Sequence, residues 1–164
     1  GVQVPLPILH GGIMSKKYDI LVLSGGFDPP HIGHARMMKE ASEIADNVIV
    51  GVNSDDWLQN KKGYIFMPWE ERAELVSYFK GVTEAVAFND EDGTACDLIN
   101  KIRKQFPDKA IAFGNGGDRV TDNVPEVSTA MQSSVDLVWN LGGGKVQSSS
   151  DLVKNANQIP VPSE

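Results

Sequence analysis

Gly25-Gly26-Phe27-Asp28-Pro29-Pro30-His31-Ile32-Gly33-His34 is the stretch on which the reading of this chain turns. A compact apolar run, Tyr18 to Leu23, leads into it, and a run of helix formers, His31 to Ala45, leaves it. The stretch is therefore a loop between a buried strand and a helix. Two histidines three residues apart at a helix start stand beside unpaired backbone amides and the positive end of the helix dipole. Such ground suits a phosphate group. Gly25 and Gly26 let the backbone approach a ligand, and Gly33 removes a side chain between the two imidazoles. A metal site would need a third ligand. Asp28 is at hand, but a helix start favours an anion, so no protein-held metal is expected.

Outward from this loop the chain alternates. Asn47–Val52 is a second β-branched run, ended by Asn53-Ser54-Asp55, and residues 53–63 read as a loop. Pro68–Phe79 reads as a helix with proline in its first turn and Glu70 and Glu71 near its positive end. Glu84–Phe88 is a short strand, and Gly93–Phe106 an amphipathic helix with Leu98, Ile99, Ile102 and Phe106 at helical spacing. Lys109–Phe113 is a strand, Pro125–Ser133 a helix and Val135–Leu141 a last strand. Ser148–Asn157 reads as a closing helix capped by serine. Alternation of this kind predicts an α/β fold: a Rossmann-like parallel sheet of about five strands with helices on both faces. Ligands bind such sheets at the carboxyl ends of the strands. The loops at 24–34, 53–63, 114–119 and 142–150 all follow strands and converge on that edge.

A chain of 164 residues suits one domain. Hydrophobic residues at 41% and charged residues at 23% place it among globular proteins. A net charge of −7 argues against a protein built to grip nucleic acid, which usually shows a basic patch. No apolar run is long enough to span a membrane. Cys96 is the single cysteine, which excludes a disulfide framework, suits a cytoplasmic location, and sits among Ala95, Leu98 and Ile99 as a packing residue. Residues 1–13, with Pro5, Pro7 and Gly11-Gly12 but no basic start, read as a leader added ahead of Met14 and not as a signal peptide. Residues 14–164 are then one domain. Trp57, Trp69 and Trp139 read as packing residues, Trp57 lying in a loop near the expected site. Neither Gly114–Gly117 nor Gly142–Gly144 is a dinucleotide fingerprint, and no P-loop is present.

Gly-x-Phe-Asp-x-x-His-x-Gly-His resembles the signature of the cytidylyltransferase-like nucleotidyltransferases, among them glycerol-3-phosphate cytidylyltransferases and heptose 1-phosphate adenylyltransferases. The resemblance extends in order over nearly all of residues 18–154. It implies that His31 and His34 contact the triphosphate and support the α-phosphorus, with Gly25, Gly26, Phe27, Asp28 and Gly33 forming the nucleotide loop. Val52-Asn53-Ser54-Asp55, Lys62-Gly63 and Glu71-Arg72 resemble the segment after the second strand. By that match Lys62 reaches phosphate, although Lys61 stands beside it. Asp55, Trp57 and Arg72 are candidates for acceptor contact, with a surface ion pair as the other reading of Arg72. Gly116-Gly117-Asp118 resembles the Gly-Gly-Asp of the heptose enzymes, so that Asp118 would orient a ribose hydroxyl or the acceptor. Asn115 stands where those relatives usually carry lysine, which leaves the acceptor open. Gln147-Ser148-Ser149-Ser150 resembles the motif at the last helix, where hydroxyls and amides hold the outer phosphates. Lys145 would serve there as a point charge in place of arginine.

The implied activity is transfer of a nucleoside monophosphate from CTP or ATP to a small sugar- or polyol-phosphate, with release of pyrophosphate. Mg2+ is expected to travel with the triphosphate. Expected partners are the triphosphate and the phosphorylated acceptor, with neither nucleic acid nor membrane, and a homodimer is consistent with the relatives. A nicotinamide mononucleotide-type adenylyltransferase, echoed in Pro29-Pro30, and a non-catalytic nucleotide-binding module of the same fold are the competing readings.

Overall fold

The computed structural model describes residues 16–116, 124–143 and 146–149. Its strands are β1 (Tyr18–Gly25), β2 (Ala45–Val52), β3 (Glu84–Val86), β4 (Ile111–Gly114), β5 (Asp136–Trp139) and β6 (Gln147–Ser148). The helices are α1 (Ile32–Ile44), α2 (Asp55–Lys62), α3 (Trp69–Ser77), α4 (Cys96–Gln105) and α5 (Val124–Gln132). The strands form one six-stranded sheet in the order β3-β2-β1-β4-β5-β6. The first five pair in parallel, as the alternation predicts, and β6 adds an antiparallel edge to β5 through Val138↔Ser148 and Trp139↔Gln147.

Side chains alternate across a strand, so each strand supplies two layers. Leu21 and Leu23 of β1, with Val48, Val50 and Val52 of β2, face Met38 and Ala41 of α1 and Ala73 and Val76 of α3. Ile20, Val22, Ile49 and Phe113 face the other way, onto Leu98, Ile99 and Ile102 of α4 and Ala130 of α5. Each fully buried aliphatic side chain contributes about 1.5–3 kcal/mol, which makes the two apolar layers the main support of the sheet.

The connection from β1 runs through α1 on one face, and the connection from β4 runs through α5 on the other. β1 and β4 are neighbours in the sheet. A crevice therefore opens where their connections diverge, at the carboxyl ends. Residues 53–63, expected as a loop, instead form α2. Ser54 caps it by accepting from the Trp57 amide, Asp55 and Asp56 occupy the first turn, Lys61 and Lys62 the last, and Gly63 at φ 84° closes it. Pro68 lies at the N-cap of α3 and not within its first turn. Beyond Ser149 the closing helix expected over 148–157 lies outside the described residues, and Ser148 itself ends β6. Residues 1–15, among them Met14 and the stretch expected to be a leader, also lie outside them. Among the described residues no helix is long and apolar enough to cross a membrane.

Candidate active site

The Gly25–His34 loop is shaped by three contacts. Phe27 adopts φ 52° and is buried, its ring meeting that of His34 edge-on at 4.8 Å. A Cβ on Gly25 would lie 2.9 Å from the Phe27 ring, so glycine there makes room for the aromatic as well as for a ligand. The Asp28 carboxylate accepts from Lys62 Nζ at 2.7 Å and from the amides of Phe66 and Met67 at 2.8 and 2.7 Å. Burial alone would raise the Asp28 carboxyl, but Lys62 and the two amides hold it below its ordinary range. Asp28, with its side chain 1% exposed, ties the 63–67 segment to the Gly25–His34 loop.

The two histidines form the start of α1. His31 is the N-cap, and its Nδ1 accepts from the Gly33 amide at 3.1 Å. His34 Nδ1 accepts from the His31 amide at 3.1 Å. The arrangement is a capping box built from imidazoles in place of hydroxyl and carboxylate. The rings stack at 3.7 Å with a 24° tilt, and a Cβ at residue 33 would come within 2.9 Å of the His31 ring. A neutral imidazole whose Nδ1 accepts carries its proton on Nε2, so each ring keeps Nε2–H as a donor. Burial, and secondarily the charge of His31, push His34 down to about 4. His34 is therefore neutral near pH 7.

A cleft of about 510 Å³ opens beside this pair at the ends of β1 and β4. Gly25, Gly26, Phe27 and His34 line one side, and Gly114, Asn115 and Gly116 another. Trp57 and Lys61 of α2 line it as well, as does Glu126, whose buried carboxylate accepts from the Ala95 amide at 3.2 Å. Lys61, Asn53, Thr94 and Glu126 are cleft residues that sequence reasoning did not assign. Had α2 been recognised, the four-residue spacing would have placed Lys61 over Trp57 and Lys62 beside the buried Leu58. Lys61 Nζ does stand 4.5 Å from the Trp57 ring, while Lys62 pairs with Asp28 and packs its ammonium 4.5 Å from the Tyr64 ring.

Two expectations are corrected by placement. Arg72 was a candidate for acceptor contact, but its guanidinium is fully buried and already engaged. Nε donates to Met67 O, Nη1 to Gly26 O and Asn53 O, and Nη2 to Asp55 Oδ1, all at 2.7–2.8 Å. Asp55 spends an oxygen on that pair, and neither residue lines the cleft. Ser148 and Ser149 were expected to hold outer phosphates at a helix start. Because β6 runs antiparallel to β5, it carries them towards the opposite end of the sheet. There Lys17 Nζ donates to Ser148 Oγ at 2.8 Å, while Ser149 Oγ accepts from the Leu137 amide and bonds Asp136. Gly116 lines the cleft, whereas Asp118, Lys145 and Ser150 lie outside the described residues. Among the described residues no cluster of three His, Cys, Asp or Glu side chains could hold a metal ion.

A crevice at the switch point beside a helix start, with His34 on its wall and His31 stacked on His34, is the form in which α/β domains hold nucleotides. More particularly, the chain belongs to the cytidylyltransferase-like family, whose pattern matches residues 22–154, and is a nucleotidyltransferase of that family. It is 27% identical over 117 residues to a phosphopantetheine adenylyltransferase of Pyrococcus furiosus, covering 57% of this chain and 73% of that one. It is 32% identical over 131 residues to the bifunctional protein HldE of Hydrogenovibrio crunogenus, covering 79% of this chain and only 24% of that much longer one. Among solved structures, a lipopolysaccharide core biosynthesis protein from Thermoplasma volcanium GSS1 superposes with a TM-score of 0.56 at 21% identity, over 74% of this chain and 95% of that one. At that identity the superposition speaks for the fold.

Proposed function

We propose that the protein transfers the nucleoside monophosphate of ATP or CTP to a small sugar- or polyol-phosphate and releases pyrophosphate. The observation that carries this reading is the stacked His31–His34 pair, with both Nδ1 atoms turned to the backbone and His34 on the wall of the cleft. An oxygen of the acceptor phosphate attacks the α-phosphorus in line. The new P–O bond forms as the bond to the β-phosphate bridging oxygen breaks, and that electron pair leaves with pyrophosphate. The attacking phosphate is already ionised at neutral pH, so the step needs neither a general base nor a covalent enzyme intermediate. Catalysis reduces to orientation and charge stabilisation by the Nε2–H donors. Lys61 supplies positive charge in the cleft, and Mg2+ accompanies the triphosphate.

The test is pyrophosphate release with Mg2+, using ATP and CTP separately against heptose 1-phosphate, glycerol 3-phosphate and a pool of other phosphomonoesters. Release with one triphosphate and one sugar- or polyol-phosphate is the expected result. Tight triphosphate binding with no release across the panel would overturn it in favour of a non-catalytic module.

A further inference from the structure

The packing of α4 and α5 accounts for only half of Glu126. This residue stands in the first turn of α5, is 8% exposed, and is the one carboxylate among the described residues that line the cleft. One of its oxygens has a structural use. Ala95, the N-cap of α4, brings no side-chain cap of its own, and its amide donates to Glu126 Oε1 at 3.2 Å. An amide at a helix start needs one acceptor, which a glutamine would supply equally well.

The second oxygen has no such use. No group among the described residues donates to it. No buried side-chain oxygen among them goes without a partner, so this one is not sealed in and opens on the cleft that Glu126 lines. Nor does a cation answer it. Lys61, the ammonium of the same cleft, lies over the Trp57 ring, while Lys62 and Arg72 pair with Asp28 and Asp55. A carboxylate so withdrawn from water, with no counter-charge, is unfavourable until a donor from a ligand completes it.

The place of Glu126 limits what that donor can be. His34 and Met37 belong to α1, on one face of the sheet, whereas Ala95, Phe113 and Ala130 pack on the other, and Glu126 stands beside Ala95. The cleft therefore crosses the end of the sheet, from the imidazole pair at the start of α1 to the carboxylate at the start of α5. Phosphate belongs at the first end, beside helix amides, and a carboxylate repels it at the second. Glu126 suits an uncharged O–H or N–H instead, in a charge-assisted hydrogen bond.

Building on the nucleotidyl transfer proposed above, we infer that Glu126 is a specificity-determining residue. Its free oxygen accepts from a hydroxyl or amino group of a bound substrate and turns away a ligand that presents a lone pair or an anion there. That donor belongs to the nucleoside or to the acceptor, and the test separates the two.

The parent chain and Glu126→Gln are compared by calorimetry. The glutamine keeps an oxygen for the Ala95 amide and turns an NH2 to the cleft, so it removes the recognition and spares the cap. On the nucleoside side, ATP and CTP are set against their 2′-deoxy and 3′-deoxy forms, and against inosine and uridine triphosphates, which carry oxygen in place of the amino group. On the acceptor side, glycerol 3-phosphate and a hexose 1-phosphate are set against their monodeoxy forms, with a non-hydrolysable triphosphate bound. The parent should prefer the donor-bearing member of one pair by about ten-fold or more, as for a bond to a charged group. Glu126→Gln should abolish that preference and leave the other affinities as they were. A nucleotide pair assigns the donor to the nucleoside, and a phosphomonoester pair assigns it to the acceptor. Glu126→Gln should melt with the parent, whereas Glu126→Ala, which also strips the Ala95 amide, should melt earlier. Equal preferences in the parent and Glu126→Gln, or none in the parent, would overturn the inference. If the chain releases no pyrophosphate yet Glu126→Gln still loses a preference, the transfer reaction falls and the role of Glu126 stands.

Discussion

His34 is held as a neutral donor by its surroundings. Its Nδ1 is fixed by the His31 amide, and burial together with the neighbouring imidazole lowers its proton affinity to about 4. The unfolded chain binds that proton near pH 6.5, whereas the folded protein resists it until about pH 4. Stability from this group is therefore complete above pH 6.5 and is lost progressively as the pH falls towards 4. Denaturant titrations across that range should show the loss, and His34→Gln should flatten it. Asp28 makes a different prediction. Its carboxylate answers Lys62 and two backbone amides from a nearly closed pocket, so Asp28→Asn sets an NH2 donor against donors. A cost of about 1–3 kcal/mol is expected from the lost partners, read as a lower denaturation midpoint. At this scale the histidine motif was legible because residue types and spacing state the chemistry. The choice between Lys61 and Lys62 was not, because adjacent residues in a loop have no defined faces.

At the scale of elements, that ambiguity traces to α2. It has only eight residues, its apolar content is small, and Trp57 and Leu58 alone mark its inner side. Periodicity cannot be read from so short a stretch, though Ser54, Asp55 and Gly63 are the cap signals of a helix. Arg72 shows the same limit from α3. An arginine beside two glutamates reads as a surface residue, yet it is buried where α3, the Gly25–His34 loop and the start of α2 meet. Arg72→Met removes the partner of three backbone carbonyls at once and should destabilise the fold by about 3–5 kcal/mol, comparable to breaking a buried pair from one side. Arg72→Lys should recover little, because one ammonium cannot span the positions a planar guanidinium reaches. Thermal melts of the two variants against the parent chain test both statements. The edge strand β6 was missed because two residues carry no alternation to read.

At the scale of the molecule, the parallel sheet and its helical layers were legible because strand and helix periods differ and alternate along the chain. Leu98 shows the energetic side of that pattern. It is fully buried under the sheet, and Leu98→Ala should cost about 2–5 kcal/mol by leaving a cavity, measurable by chemical denaturation. The position of the crevice followed from the strand order, which no single segment encodes. It arises because the connections after β1 and β4 leave on opposite faces, bringing the histidine loop against the Gly114–Gly116 turn. The central claim is that the imidazole pair stabilises the charge of a nucleotidyl transfer. The most direct test is the rate of pyrophosphate release by the parent chain, His31→Ala and His34→Ala, with triphosphate binding measured on the same samples. The account predicts a fall of about 10²–10³ or more in each variant with triphosphate still bound; parental rates in both variants would contradict it.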